Sequence, residues 1–191
     1  RLGTIQYHPS LLPMHKGPSS INWPIINGEN KTGLSIFWPD NGLDTGPILL
    51  QKDVVIDPDD TLGSLYFNHL FPMGVDAILE AVDLVRDGTA LRLNQDPAKG
   101  SYEGWCQRAD VEIDWVQSMD VVYNLIRGAN PQPGAWTTLN GQPVTILDSK
   151  KDIGFANSDP GSVVEVDADG ISIGCVEGAV RVEKFKPEGA G

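Results

Sequence analysis

The chain is poor in cysteine, in long apolar runs and in positive charge. Only two of its 191 residues are cysteines, Cys106 and Cys175, which is too few for a framework of disulfides or for a zinc site. No apolar run approaches the roughly 20 residues that a membrane helix needs, and no signal-peptide pattern is visible. We therefore expect a cytoplasmic protein with two reduced thiols and no membrane partner.

Acidic residues outnumber basic ones along the whole chain. The 14 Lys and Arg residues face 26 Asp and Glu residues, which gives a formal net charge of −12. Residues 1–96 and 97–191 each carry −6, from 6 basic against 12 acidic residues and from 8 against 14. Because binding to a phosphate backbone depends on an excess of cations, this balance disfavours a nucleic-acid partner.

The first half of the chain carries an α/β pattern. Short apolar runs predict buried strands at Gly3–Tyr7, Leu34–Trp38 and Ile48–Ile56, and helices are predicted at 21–27, 61–70 and 72–86. In the last helix, large apolar side chains recur at helical spacing, which predicts that they pack in the core: Val75, Ile78, Leu79, Val82 and Val85.

The composition changes at Asn94–Gly104, where polar residues, Pro and Gly replace the periodic pattern. This change predicts a linker between two domains, residues 1–96 and 97–191. In the second domain we predict a helix at Met119–Arg127, followed by short strands at 163–166, 171–175 and 179–185 joined by hairpin turns. Several short strands in so few residues predict a small barrel or a curled sheet.

Three polar residues near strand ends form a candidate catalytic site: His8, Gln6 and Asp44. His8 and Gln6 lie two positions apart on one strand and therefore point to the same side. Asp44 lies in the loop between the next two strands, and we expect the carboxyl ends of parallel strands to bring it to the same sheet edge. An imidazole, a carboxylate that orients it and an amide that binds an oxyanion are suited to attack on a carbonyl by water or an amine.

The residues alone leave structural alternatives open at these positions. A histidine in a Pro-rich loop is often a surface residue, and an aspartate among glycines is often a turn former. We expect His15 and Lys16 in a solvated loop, and we expect His69 to be a structural residue of a helix. Because the three histidines lack metal-ligand spacing, no metal is expected.

Several segments resemble the formyltransferase family that uses 10-formyltetrahydrofolate: Tyr7–Pro13, Ser20–Trp23, Ser35–Trp38, Gly42–Gly46 and Leu49–Lys52. The similarity is greatest to the N-terminal hydrolase domain of the family's dehydrogenase-type members. Ile126–Gly128 and Pro133–Trp136 resemble the motif that begins the C-terminal domain of the tRNA-type and dehydrogenase-type members.

This resemblance implies the C-terminal part of a Rossmann-like formyltransferase domain, followed by a small OB-like β-barrel domain. It implies an enzyme of one-carbon metabolism with 10-formyltetrahydrofolate as formyl donor, His8 as general acid and base, and Asp44 as its partner. The folate pocket would include Leu11, Pro13, Asp40, Asn41, Gly42 and Leu43. The family also has an N-terminal half of the first domain, so we expect this chain to be a fragment of a longer protein.

Gln6 departs from the pattern of the family. Its transferases carry Asn at this position and the hydrolase domain carries an aliphatic residue, so hydrolysis and transfer of the formyl group both stay open. Formylation of methionyl-tRNA is an alternative that the acidic second half weakens, and formylation of a sugar nucleotide is another. A non-catalytic folate-binding module is the alternative from a different functional class.

Overall fold

The computed structural model describes residues 3–188. The chain forms two compact units, one made of Arg1–Pro24 with Glu29–Trp105 and the other of Ile25–Gly28 with Cys106–Gly191. The segment 94–104 therefore lies inside the first unit, where Lys16 and Tyr102 form a parallel β-bridge. The division into functional domains at residue 96 stays a prediction.

The first unit is built on a three-stranded sheet with the order β1-β2-β3. The strands are β1 (Gln6–His8), β2 (Lys31–Phe37) and β3 (Ile48–Val55). Both pairings are antiparallel, and His8 lies opposite Ser35. The expectation that the loops of His8 and Asp44 follow parallel strands is therefore wrong for these strands. His8 is the last residue of β1 rather than the first residue of a loop.

Helices precede and follow strands of this sheet along the chain. A short helix, α1 (Asn22–Ile26), precedes β2, and α2 (Leu62–Leu65) follows β3. The Thr61 side chain caps α2 by accepting a hydrogen bond from the Ser64 N–H at 3.0 Å. A π-helical turn at Tyr66–Leu70 joins α2 to the long helix α3 (Phe71–Arg86). No helix among residues 3–188 is long and apolar enough to cross a membrane.

The face of α3 that is buried is not the predicted one. Gly74, Ala77 and Ala81 are its buried residues, and both alanines pack against the apolar side chains of β2 and β3. These small residues allow α3 to approach the sheet closely. At Gly74, an added Cβ would lie 2.7 Å from the ring of Tyr7. Of the large side chains predicted to pack in the core, Val75, Ile78, Leu79 and Val82 are instead 40–61% exposed, whereas Val85 is partly buried and packs against the core as predicted.

The second unit contains α4 (Met119–Gly128) and a five-stranded antiparallel sheet with the order β4-β5-β8-β7-β6. The strands are β4 (Trp136–Leu139), β5 (Gln142–Asp152), β6 (Val163–Val166), β7 (Ile171–Cys175) and β8 (Gly178–Pro187). Side chains from all five strands line one apolar cavity, among them Leu139, Ile146, Val163, Ile173 and Phe185. The sheet is therefore curled.

The two cysteines are buried thiols that form no disulfide in the described part of the chain, and we expect both to react slowly. Burial raises the pKa of each thiol to about 11, and at Cys106 the neighbouring carboxylate of Asp110 adds to the effect. Because the thiolate is the reactive form, a rise of about two pKa units leaves about 100-fold less of it at pH 8. Titration with a thiol reagent at pH 8 tests this, with the unfolded protein in denaturant as the control. A thiol that reacts in the folded protein at the rate of free cysteine would contradict the buried positions.

Candidate functional site

The side chains of His8 and Asp44 meet in a buried position in the first unit. Nδ1 of His8 lies 3.6 Å from Oδ2 of Asp44, and the two residues are only 5% and 7% exposed. The predicted proximity of the two side chains is therefore confirmed, although the neighbouring strands run antiparallel, and their catalytic role stays a prediction. Asp44 has a positive φ of 56°, and its Oδ2 accepts a hydrogen bond from the Gly17 N–H at 3.0 Å.

The other ring nitrogen of His8 determines the tautomer of the imidazole. Nε2 lies 2.9 Å from the main-chain carbonyl oxygen of His15. Because a carbonyl oxygen only accepts hydrogen bonds, Nε2 carries the proton and donates it. In the neutral ring, Nδ1 then presents a lone pair toward the Asp44 carboxylate. Two acceptors that face each other are suited to hold a third group that donates to both, such as a water or an amine.

The loop after His8 is held in place by two polar side chains of β2 and β3. The buried hydroxyl of Ser35 donates to the carbonyl of Ser10 at 2.7 Å and accepts from the N–H of Leu12 at 3.0 Å. The Gln51 amide donates to Ser35 Oγ at 2.8 Å and to the carbonyl of Leu12 at 2.9 Å. Three of these bonds anchor residues 10–12 to the sheet, and the fourth joins the two sheet side chains to each other.

The loop that carries Asp44 is held from a different part of the chain. Nε2 of Gln95 donates to the carbonyl oxygens of Asp44 and Gly46, each at 2.8 Å. Gly46 is required at its position, because a Cβ there would lie 1.8 Å from the carbonyl oxygen of Trp38. The segment for which the sequence predicts a linker therefore fixes the backbone of a site residue.

The predicted folate-pocket residues divide into a half-buried and an exposed group. Leu11 and Pro13 are half-buried, whereas Asp40, Asn41, Gly42 and Leu43 are exposed. The Asp40 carboxylate accepts from the Thr45 hydroxyl at 2.7 Å and from the Gly42 N–H at 2.9 Å. These two bonds hold the pKa of Asp40 below its ordinary value, so this carboxylate is charged and organises its own loop.

Gln6 lies at the start of β1 with its side chain exposed. No hydrogen bond within residues 3–188 joins its amide to His8 or Asp44. The structure thus brings together two members of the predicted trio, and among the described residues it shows no hydrogen bond from the third to this pair.

His15 contradicts the expectation of a solvated loop. It is 4% exposed, and its ring lies between two carboxylates: Nε2 is 2.9 Å from Glu29 Oε1 and Nδ1 is 3.2 Å from Glu103 Oε2. Its neighbour Lys16 is half-buried. Sequence reasoning missed this cluster because Glu29 and Glu103 are distant in the chain and follow no motif.

Three ionisable side chains near the end of β3 lie close enough to share a cation. Ligand atoms of Asp57, Asp60 and His69 all lie within 4.8 Å of one another. The Asp60 carboxylate already accepts from the Ser64 hydroxyl at 2.6 Å and from the Asp57 N–H at 3.0 Å. Its place in this turn explains its burial without a metal. His69 lies in the π-helical turn and is half-buried.

Each of two parts of the chain matches a model of a known protein family. Residues 1–82 match the family model described as formyl transferase, and residues 106–190 match the model described as formyl transferase, C-terminal domain. The mitochondrial 10-formyltetrahydrofolate dehydrogenase of Homo sapiens is 51% identical over 147 residues, which are 77% of this chain and 16% of that protein.

Two further similarities extend over nearly the whole chain. The methionyl-tRNA formyltransferase of Geobacter metallireducens is 39% identical over 189 residues, which are 99% of this chain and 60% of that protein. The crystal structure of HypX from Aquifex aeolicus in complex with tetrahydrofolic acid superposes with a TM-score of 0.79 at 21% identity, covering 97% of this chain and 32% of HypX. The chain thus spans only part of the length of these relatives. The two family models together with these relatives show that it belongs to the formyl transferase family.

Proposed function

We propose that this chain carries the reaction centre of an enzyme that removes the formyl group from 10-formyltetrahydrofolate. The observation that carries the proposal is the buried pair of His8 and Asp44, in which Nδ1 and Oδ2 face each other at 3.6 Å. The pair lies in the part of the chain that matches the formyl transferase model. Folate is therefore a substrate in this proposal, and no metal takes part.

The chemistry follows from the tautomer of His8. A water or an amine that donates hydrogen bonds to both Nδ1 and Oδ2 attacks the formyl carbon, and the carbonyl electrons move to the formyl oxygen. Nδ1 takes the proton of the nucleophile, since Nε2 is already protonated and bonded to the carbonyl of His15. The Asp44 carboxylate stabilises the resulting imidazolium. The oxyanion then re-forms its carbonyl, the bond to the folate nitrogen breaks, and His8 returns its proton to that nitrogen.

Gln6 is our candidate for the oxyanion donor. Its exposed amide requires only a side-chain rotation to reach a bound substrate, since no hydrogen bond within the described residues holds it to the pair. The pocket for the folate would then be formed by the half-buried residues Leu11 and Pro13 together with the exposed loop 40–43.

The finer fold assignment is also a proposal. We infer that the first unit is the C-terminal part of a Rossmann-like domain and that the second unit is an OB-like barrel. The cavity lined from all five strands supports the barrel, whereas β4 and β6 are the two edges of the sheet. We propose residues 1–96 and 97–191 as the functional domains and the cytoplasm as the location; of two human relatives, one is named as cytosolic and the other as mitochondrial.

The acceptor of the formyl group separates hydrolysis from transfer. Hydrolysis needs only a water that lies beside the pair and donates to both Nδ1 and Oδ2. Transfer to methionyl-tRNA is disfavoured by the net charge of −6 on residues 97–191. Transfer to a sugar nucleotide would need an amine acceptor in place of the water, and a purely folate-binding role would involve no acceptor at all.

Incubation of the whole protein with 10-formyltetrahydrofolate tests the proposal directly. Loss of the formyl group without an acceptor indicates a hydrolase, and loss only with methionyl-tRNA or an amino sugar nucleotide indicates a transferase. Tight folate binding without turnover under any of these conditions would contradict an enzymatic role and favour the binding module.

We expect His8→Asn to lower kcat by about 1,000-fold, within the range that general acid–base catalysis contributes. Asp44→Asn keeps the size of the side chain but removes the charge that stabilises the imidazolium, so we expect a loss of about 100-fold or more. Steady-state kinetics measure both changes. The matched control is His69→Asn, the same substitution in the helical segment, which should leave kcat unchanged. Near-normal turnover by His8→Asn would exclude the mechanism.

For substitution of Gln6 we expect a smaller loss of kcat than for substitution of His8 or Asp44. Gln6→Leu removes the amide donor but keeps much of the side-chain volume, and we expect kcat to fall by about 10-fold, less than for a preformed oxyanion donor because no hydrogen bond within the described residues holds this amide at the pair. Gln6→Asn keeps the amide and should retain more activity than Gln6→Leu. Equal activity of the two variants would remove Gln6 from the reaction.

A further inference from the structure

His15 contributes to the site through its backbone. Its φ of 52° lies in the left-handed region, which is uncommon for a residue other than glycine. In this conformation its carbonyl oxygen accepts the hydrogen bond from His8 Nε2 at 2.9 Å. A change in the backbone of this one residue would therefore release the ring of His8.

The side chain and the N–H of His15 are held from two segments distant in the sequence. Nε2 of the ring shares a hydrogen bond with Glu29 Oε1 at 2.9 Å, and Nδ1 lies 3.2 Å from Glu103 Oε2 without the geometry of a hydrogen bond. The N–H donates to the hydroxyl of Ser101 at 2.8 Å. Glu29 follows α1, whereas Ser101 and Glu103 belong to the segment between α3 and α4, and all of them lie in the first unit.

The backbone around His15 is fixed as well. Lys16 N–H donates to the carbonyl of Ser101 at 3.2 Å, and Glu103 N–H donates to the carbonyl of Lys16 at 3.0 Å. Gly17 follows directly, and a Cβ there would lie 2.2 Å from the carbonyl oxygen of Glu103. The same glycine donates its N–H to Asp44. Thus the segment around Glu103 determines the positions of both partners of the His8–Asp44 pair.

The ring of His15 lies between these two carboxylates. Without it, Glu29 and Glu103 would face each other with no cationic or hydrogen-donating group between them, and like charges at close range repel. The two glutamates are 38% and 23% exposed in their side chains, so they would move apart toward solvent. The carbonyl of His15 would move with them.

We propose that His15 is a positioning residue: its ring, held between Glu29 and Glu103, fixes its own carbonyl oxygen and thereby the Nε2–H tautomer of His8. The consequence for turnover rests on the proposed formyl chemistry, in which only Nδ1 of His8 exchanges protons with the substrate. The consequence for the tautomer does not depend on that chemistry.

The test is the variant His15→Asn in the whole protein. Asparagine tolerates a positive φ better than most residues, so the variant isolates the loss of the ring. Nitrogen-15 NMR of the His8 ring should show a proton on Nε2 alone in the unsubstituted protein, and a mixture of both tautomers in the variant. We expect kcat to fall by about 10- to 100-fold, as for a misplaced catalytic group, with a smaller change in KM.

Glu103→Gln is a second variant in case His15→Asn fails to fold. It keeps the shape of the side chain and an acceptor oxygen, and we expect the same tautomer mixture with a smaller loss of kcat. His69→Asn serves as the control and should leave both the tautomer and kcat unchanged.

The outcomes separate the two proposals. A shifted tautomer in a protein that never turns over 10-formyltetrahydrofolate would support the role of His15 and overturn the proposed reaction. An unchanged tautomer and unchanged kcat in both folded variants of an active protein would overturn the role of His15 alone.

Discussion

The hydrogen bond from His8 Nε2 to the carbonyl oxygen of His15 is the constraint on which the site depends. It assigns the proton to one ring nitrogen and leaves the other facing the Asp44 carboxylate. It also explains why a histidine at a strand end is buried, since both of its nitrogens have defined neighbours. A ring that could rotate or change tautomer would lose the arrangement of two acceptors on which the proposed proton transfer relies.

The sheet and the connecting segments serve this arrangement in different ways. Ser35 and Gln51 extend from adjacent strands and fix the loop after His8. Gln95 and Glu103 come from the segment between α3 and α4, whose regular structure is limited to 3-10 helices at Pro97–Lys99 and Arg108–Val111, and they contact the loops of Asp44 and His15. Catalytic groups on loops need such support because a rigid scaffold alone does not determine a loop conformation. In the first unit, the segment that carries Gln95 and Glu103 is therefore part of the site.

The sequence allowed the His8–Asp44 pair to be predicted, because a strand end and a Gly-flanked loop both carry local signals. Most strands and helices were also predicted close to their observed bounds, since their apolar periodicity is local. The antiparallel pairing of β1 and β2 was not predicted, because strand direction depends on contacts that no local pattern encodes. The buried face of α3 was missed since Gly74, Ala77 and Ala81 are small, and hydrophobic patterns give more weight to larger side chains. The cluster of His15, Glu29 and Glu103 joins three distant positions, so only the fold reveals it.

The central claim is that a nucleophile held by both His8 and Asp44 attacks the formyl carbon. A crystal structure of the whole protein with an unreactive analogue of 10-formyltetrahydrofolate tests it most directly. The account predicts a water or an amine within hydrogen-bond reach of both Nδ1 and Oδ2, about 3 Å away, and about 3–3.5 Å from the carbon of the formyl group. A folate bound with its formyl group directed away from this pair would contradict the account.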